Sequence, residues 1–159
     1  MHRFDRTRND PEHHHPPILV VDRDVAFAEA VRTAVTAGHL VNPVLACPDP
    51  RTALGDLTAG AQGGARARSR PIAAVVSFDF EDRRGQHLLR SIGQSPTLRL
   101  IPVVVVGQGV DADEVREAMD LGAAAYLSKL VASHVLLDII RGLGMPWALA
   151  GPAPAAGVV

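Results

Sequence analysis

An α/β domain with a doubly wound, five-stranded parallel sheet is the architecture this sequence predicts. Three observations carry that expectation. Short runs of apolar, β-branched residues recur along the chain. An amphipathic stretch at helical spacing follows each of them. The runs are apolar throughout instead of alternating, as in strands covered on both faces.

The first run is Ile18-Leu19-Val20-Val21. A helix follows, with Phe27, Ala30, Val31, Ala34 and Val35 on one face and Gly38 as its stop signal. Val44-Leu45-Ala46 is the second strand. Asp49-Pro50 reads as an N-cap with proline in the first helical position, opening a helix through Ala53, Leu54 and Leu57. From Ala59 to Arg70 the chain turns to Gly, Ala and Arg, which predicts a connecting loop. Ile72 to Val76 is the third strand, and Gly85 precedes a helix carrying Leu88, Leu89 and Ile92. Ile101 to Val106 is the fourth, with Pro102 tolerable only near its start or at a sheet edge. Asp111 and Glu114 have capping-box spacing at the head of a helix through Leu121, whose buried stripe is Val115, Ala118 and Met119. Ala124 to Leu127 is the last strand, and Ser133 is expected to cap a helix through Leu136, Leu137, Ile140 and Leu143.

The organisation expected is a disordered tail over 1–17, one domain over 18–144 and a flexible tail over 145–159, where Trp147 stands out. At 159 residues there is room for one domain with a real core. A net charge of −1 gives no general pull toward nucleic acid or anionic membrane, and 4% aromatic content argues against base stacking. The single cysteine, Cys47, forbids an intrachain disulfide and suits a reducing, cytoplasmic compartment. No apolar run reaches the ~20 residues of a membrane span, and Met1 to Pro17 has no signal-type apolar core. His13, His14 and His15 lie in the polar tail, where a solvated segment is the simpler reading than a metal site.

In parallel sheets of this kind ligand sites lie beyond the carboxyl ends of the strands. Those ends carry Asp22-Arg23-Asp24, then Ser77-Phe78-Asp79 with Glu81 and Asp82, then Gly107-Gln108-Gly109, then Ser128-Lys129-Leu130. Asp22 and Lys129 would meet at one edge, in a site suited to a phosphoryl group or a cation.

The stretch from Ile18 to Leu143 resembles the receiver domain of bacterial two-component response regulators. The matching residues are Ile18 to Asp22, Gly85 with Leu88 and Leu89, Ile101 to Val105, Gly122-Ala123 with Tyr126, and Lys129. The resemblance implies a flavodoxin-like (CheY-like) fold with strand order 2-1-3-4-5. It also implies a site in which two acids hold Mg²⁺ and an aspartate after the third strand accepts phosphoryl from a histidine kinase. A hydroxyl residue after the fourth strand and the lysine would bind the phosphoryl oxygens.

Several of those positions depart from the family's pattern. Arg23 stands at the second acid. The family's glycine follows its acceptor by eight places, and eight places before Gly85 is Ser77. Glu81 replaces the usual proline, Gly107 the hydroxyl residue, and Leu130 the proline after the lysine. A serine hydroxyl is a poor nucleophile without a base. Asp22 alone survives as a candidate Mg²⁺ ligand, and no other cofactor is expected. We therefore expect a degenerate phosphorylation site made of Asp22, Arg23, Asp24, Ser77, Asp79, Gly107 and Lys129, with Arg23 either pairing to Asp22 or Asp24 or pointing to solvent.

The function expected is that of a stand-alone pseudo-receiver: not an enzyme, acting through protein contact without phosphorylation. The resemblance implies a surface formed by the fourth helix, fifth strand and fifth helix, with Tyr126 as its switch residue. The partner would be a histidine kinase, a downstream regulator or a second copy in a homodimer. Direct DNA binding is not expected. One alternative is a working phosphorelay receiver using Asp79. Another is nucleotide or small-molecule binding, from the Gly-x-Gly-x-x-Ala form of Gly107 to Ala112; there Asp111 and Asp113 would put negative charge where pyrophosphate should sit.

Overall fold

The computed structural model describes residues 15–61 and 70–142. Of the tails expected over 1–17 and 145–159, residues 1–14, with His13 and His14, and all of 145–159, with Trp147, lie outside these residues, as do positions 62–69 of the Arg/Gly loop and 143–144. The elements run β1 (Ile18–Val21), α1 (Val25–Ala37), β2 (Val44–Cys47), α2 (Pro50–Ala61), β3 (Ala73–Ser77), α3 (Arg84–Gln94), β4 (Val103–Gly107), α4 (Ala112–Asp120), β5 (Ala125–Ser128) and α5 (Lys129–Gly142). Short 3-10 turns precede α3 at Glu81–Arg83 and β4 at Leu98–Leu100.

The strands form one parallel sheet in the order β2-β1-β3-β4-β5, as expected. Successive side chains point to opposite faces, and both faces are covered. Leu19, Val21, Val76, Val103 and Val105 pack with Leu57, Leu88, Leu89, Ile92 and Ala118 from α2, α3 and α4. Ile18, Val20, Val75, Val104 and Val106 pack with Phe27, Val31, Val35 and Leu136 from α1 and α5. This two-sided burial is why β1, β3 and β4 are apolar at nearly every position. Each fully buried aliphatic side chain contributes about 1.5–3 kcal/mol relative to an exposed one.

Aspartates begin three helices at the carboxyl edge. Asp24 Oδ1 accepts from the Ala26 N–H at 3.0 Å. Asp49 Oδ2 accepts from the Thr52 N–H at 3.1 Å and from Thr52 Oγ1 at 2.9 Å. Asp111 Oδ1 accepts from the Asp113 N–H at 2.9 Å.

Five local expectations are corrected. α2 continues to Ala61, into the stretch read as loop. β4 starts after Pro102, at Val103, so the missing proline N–H falls outside the strand; the Pro102 carbonyl still accepts from Ala74. Glu114 does not close a capping box, because its carboxylate is taken by Tyr126. Met119 is 47% exposed, since α4 contacts the sheet mainly along β5 and buries Ala118 alone. α5 starts at Lys129, directly from β5, and Ser133 lies in its second turn.

Candidate functional site

The site grows from the carboxyl ends of β1, β3, β4 and β5. Val21 pairs with Val76, so Asp22, one residue on, comes level with Ser77 at the last position of β3. Ser77 pairs with Val106 and Gly107 with Ser128, which brings Lys129 to the same edge.

Asp22 is 4% exposed. Its Oδ1 accepts from the Asp24 N–H at 2.9 Å, and its Oδ2 lies 2.7 Å from Lys129 Nζ. The ammonium also stands 3.6 Å from Asp24 Oδ2 and 5.3 Å from the centre of the Phe27 ring. Lys129 thus lays its charge between two carboxylates and over an aromatic face. Sequence reasoning saw Phe27 only as a core residue.

The expected pairing of Arg23 with Asp22 or Asp24 is not what forms. Arg23 is exposed, and both acids pair with Lys129. The turn closed by the Asp24 N–H onto Asp22 aims both acids at the site and leaves the residue between them outside.

Ser77 is 1% exposed, and its Oγ accepts from the Asp79 N–H at 3.0 Å. The start of α3 is pressed onto it. A Cβ at Gly85 would stand 2.2 Å from the Ser77 carbonyl oxygen, so only glycine fits there. Asp79 faces the β4–α4 loop, where Gln108 Nε2 donates to its Oδ2 at 2.6 Å. Beyond it, Asp82 and Arg83 take left-handed backbone (φ 55° and 56°) to enter α3, and Arg83 pairs with Glu117 of α4.

At the end of β4 the contact is steric. A Cβ on Gly107 would meet the Tyr126 hydroxyl at 1.9 Å and its Cζ at 2.8 Å. The phenol therefore fills the space that a side chain at 107 would need. Its hydroxyl donates to Glu114 Oε2 at 2.6 Å, and the Gly109 carbonyl oxygen lies 3.0 Å away. Burial first, then the hydrogen bond to Glu114 and its charge, hold this phenol well above its ordinary range. Gln108 and Glu114 were missed as site residues, Glu114 because its spacing from Asp111 had a local explanation.

No family model matches the chain. Among curated proteins it is similar to the response regulator Rcp1 of Synechocystis sp., at 26% identity over 143 residues, covering 89% of this chain and 96% of Rcp1. Among solved structures it is similar to the bacteriophytochrome response regulator RtBRR, at 28% identity and TM-score 0.72, covering 89% of this chain and 85% of that one. The phosphorylated cyanobacterial phytochrome response regulator RcpA matches at 26% identity and TM-score 0.66, over 81% of this chain and 91% of that one. The relatives are response-regulator receiver domains. The receiver likeness runs through the whole sheet with its flanking helices, and it accords with the strand order and the placement of the polar edge. Among the described residues no helix is long and apolar enough to cross a membrane.

Proposed function

We propose that this chain is a signalling receiver domain that works through protein contact and without phosphorylation of an aspartate. The observation that supports it is Ser77, buried at the end of β3 and level with the Asp22–Lys129 pair. A phosphoryl-accepting receiver would carry its aspartate there. Among the described residues no side-chain base is hydrogen-bonded to the serine hydroxyl, whose Oγ accepts from the Asp79 N–H. A serine phosphate ester would also lack the lability of an acyl phosphate.

The donor set does not fit Mg²⁺. One Asp22 oxygen accepts from backbone, the other faces an ammonium, and an arginine follows it in sequence. In this reading Lys129 takes the cation's place as partner of Asp22. A Mg²⁺ titration followed by NMR tests it: shifts should stay small and linear, and a saturable site at low millimolar Mg²⁺ would overturn the reading.

The receiver's work then falls to its surface, which we assign to α4, β5 and α5 around Tyr126, facing a kinase, a downstream regulator or a second copy in the cytoplasm. No catalytic turnover and no direct DNA contact belong to this reading.

The phosphorelay alternative has one point in its favour, a half-buried Asp79 carboxylate near the same edge. That carboxylate is held by Gln108, away from Lys129. For nucleotide binding the turn after β4 is unfavourable. Tyr126 fills the space above Gly107, and Asp111 already takes an N–H at the head of α4.

A further inference from the structure

A second polar hollow lies between α2 and α3, built from side chains outside the Asp22–Lys129 cluster. It measures about 320 Å³ and is lined by Asp49, Arg51, Arg84, His87 and Ser91, with Pro50, Leu54 and Leu88 forming its apolar edge. Arg51 is the second residue of α2, while Arg84 and His87 are the first and fourth of α3. The packing of these two helices against each other sets the cations across one opening.

The charges there are unbalanced. Among the described residues, ion pairs engage Arg32, Arg83 and Lys129, and neither Arg51 nor Arg84 has a carboxylate within pairing distance. Arg83 is paired with Glu117 while its neighbour Arg84 is not. The lining contains one acid, Asp49, and its carboxylate is turned to the Thr52 N–H and hydroxyl. Those two bonds, with a smaller contribution from Arg84, keep Asp49 below its usual range and therefore charged. Two guanidinium groups, an imidazole and a hydroxyl remain to serve whatever enters.

We propose that this hollow binds a phosphate monoester. One carboxylate would satisfy one guanidinium fork, whereas a tetrahedral group with three terminal oxygens can engage Arg51, Arg84 and the His87 or Ser91 donor together. The apolar edge of Leu54, Leu88 and Pro50 suits a carbon body attached to the phosphate. This phosphate is a ligand recognised intact, and no bond is made or broken.

Amide and His87 ring NMR shifts during titration with phenyl phosphate test the site, with benzoate and inorganic phosphate as parallel arms. Phenyl phosphate should give saturable shifts at Arg51, Arg84, His87 and Ser91, with benzoate at least tenfold weaker. Phenyl phosphate should bind more tightly than inorganic phosphate, through its organic body on the apolar edge; equal binding would overturn the monoester and leave free phosphate as the ligand. The Arg51→Gln/Arg84→Gln double variant, altered only at exposed side chains, should lose at least tenfold in affinity. Shifts that fail to saturate, map elsewhere or survive in that variant would overturn the proposal.

Discussion

The hydroxyl of Tyr126 stands where a side chain at position 107 would have to go: a Cβ there would lie 1.9 Å from it. Glycine at the end of β4 and an inward tyrosine on β5 are therefore one arrangement, secured by the bond from Tyr126 to Glu114. Replacing Gly107 with threonine should expel the ring or strain the edge, at a cost of about 1–3 kcal/mol. Chemical denaturation should show that loss, and the ring resonances of Tyr126 should report its displacement.

Tyr126 is the chain's single tyrosine, so its ionisation can be read from absorbance alone. Its folded pKa is raised, so the unfolded chain loses the phenolic proton first. Its contribution to stability is thus complete below about pH 10 and declines as pH rises further. The wild type should titrate late, and Gly107→Thr should titrate nearer pH 10. Identical midpoints would mean that the ring is not held by this contact.

Lys129 neutralises a buried acid. Lys129→Met leaves Asp22 without its cation and should destabilise the fold by about 3 kcal/mol in urea melts. Adding Asp22→Asn should recover part of that loss, because the uncompensated charge is then gone. If the double variant is as unstable as the sum of both changes, the pair is not the source of the effect.

Gly85 lets α3 approach the carboxyl end of β3. A Cβ would sit 2.2 Å from the Ser77 carbonyl oxygen, a backbone atom that cannot rotate away. Gly85→Ala should lower stability by about 1–3 kcal/mol and move the Ser77 and Asp79 amide signals. Gly55→Ala is the control, since nothing beyond its own stretch of helix lies within 4 Å of the added carbon.

The sheet was largely legible because strands buried on both faces must be apolar at nearly every position, and Val103 to Val106 is unmistakable on that rule. The caps at Asp49 and Asp111 were legible because their bonds are local, two or three residues on, whereas Asp24, which caps α1 in the same way, was read only as a site residue. The start of α5 was misplaced because Ser128, whose Oγ accepts from the Leu130 N–H at 3.4 Å, is both the last residue of β5 and the residue before the helix, so Ser133 offered the better local signal. Met119 fits the apolar stripe of α4, but how a helix sits on its sheet depends on contacts that spacing does not record.

At the polar edge, Asp22 and Lys129 could be brought together by topology alone. The choice of Lys129 over Arg23 as partner could not, because it depends on which way a three-residue turn aims its side chains. The Tyr126–Gly107 contact was similarly out of reach. A glycine in sequence reads as a missing hydroxyl, and only the packed structure reveals what fills the space.

Phosphoryl transfer separates a contact-only receiver from a phosphorylated one. The full chain should be incubated with acetyl phosphate and Mg²⁺, then examined by intact mass and by phosphate-affinity electrophoresis, beside Ser77→Asp and Asp79→Ala variants. Our account predicts no acid-labile phosphoryl group on the wild type or on Asp79→Ala. A label on the wild type that vanishes in Asp79→Ala would contradict it and establish a working acceptor at that residue.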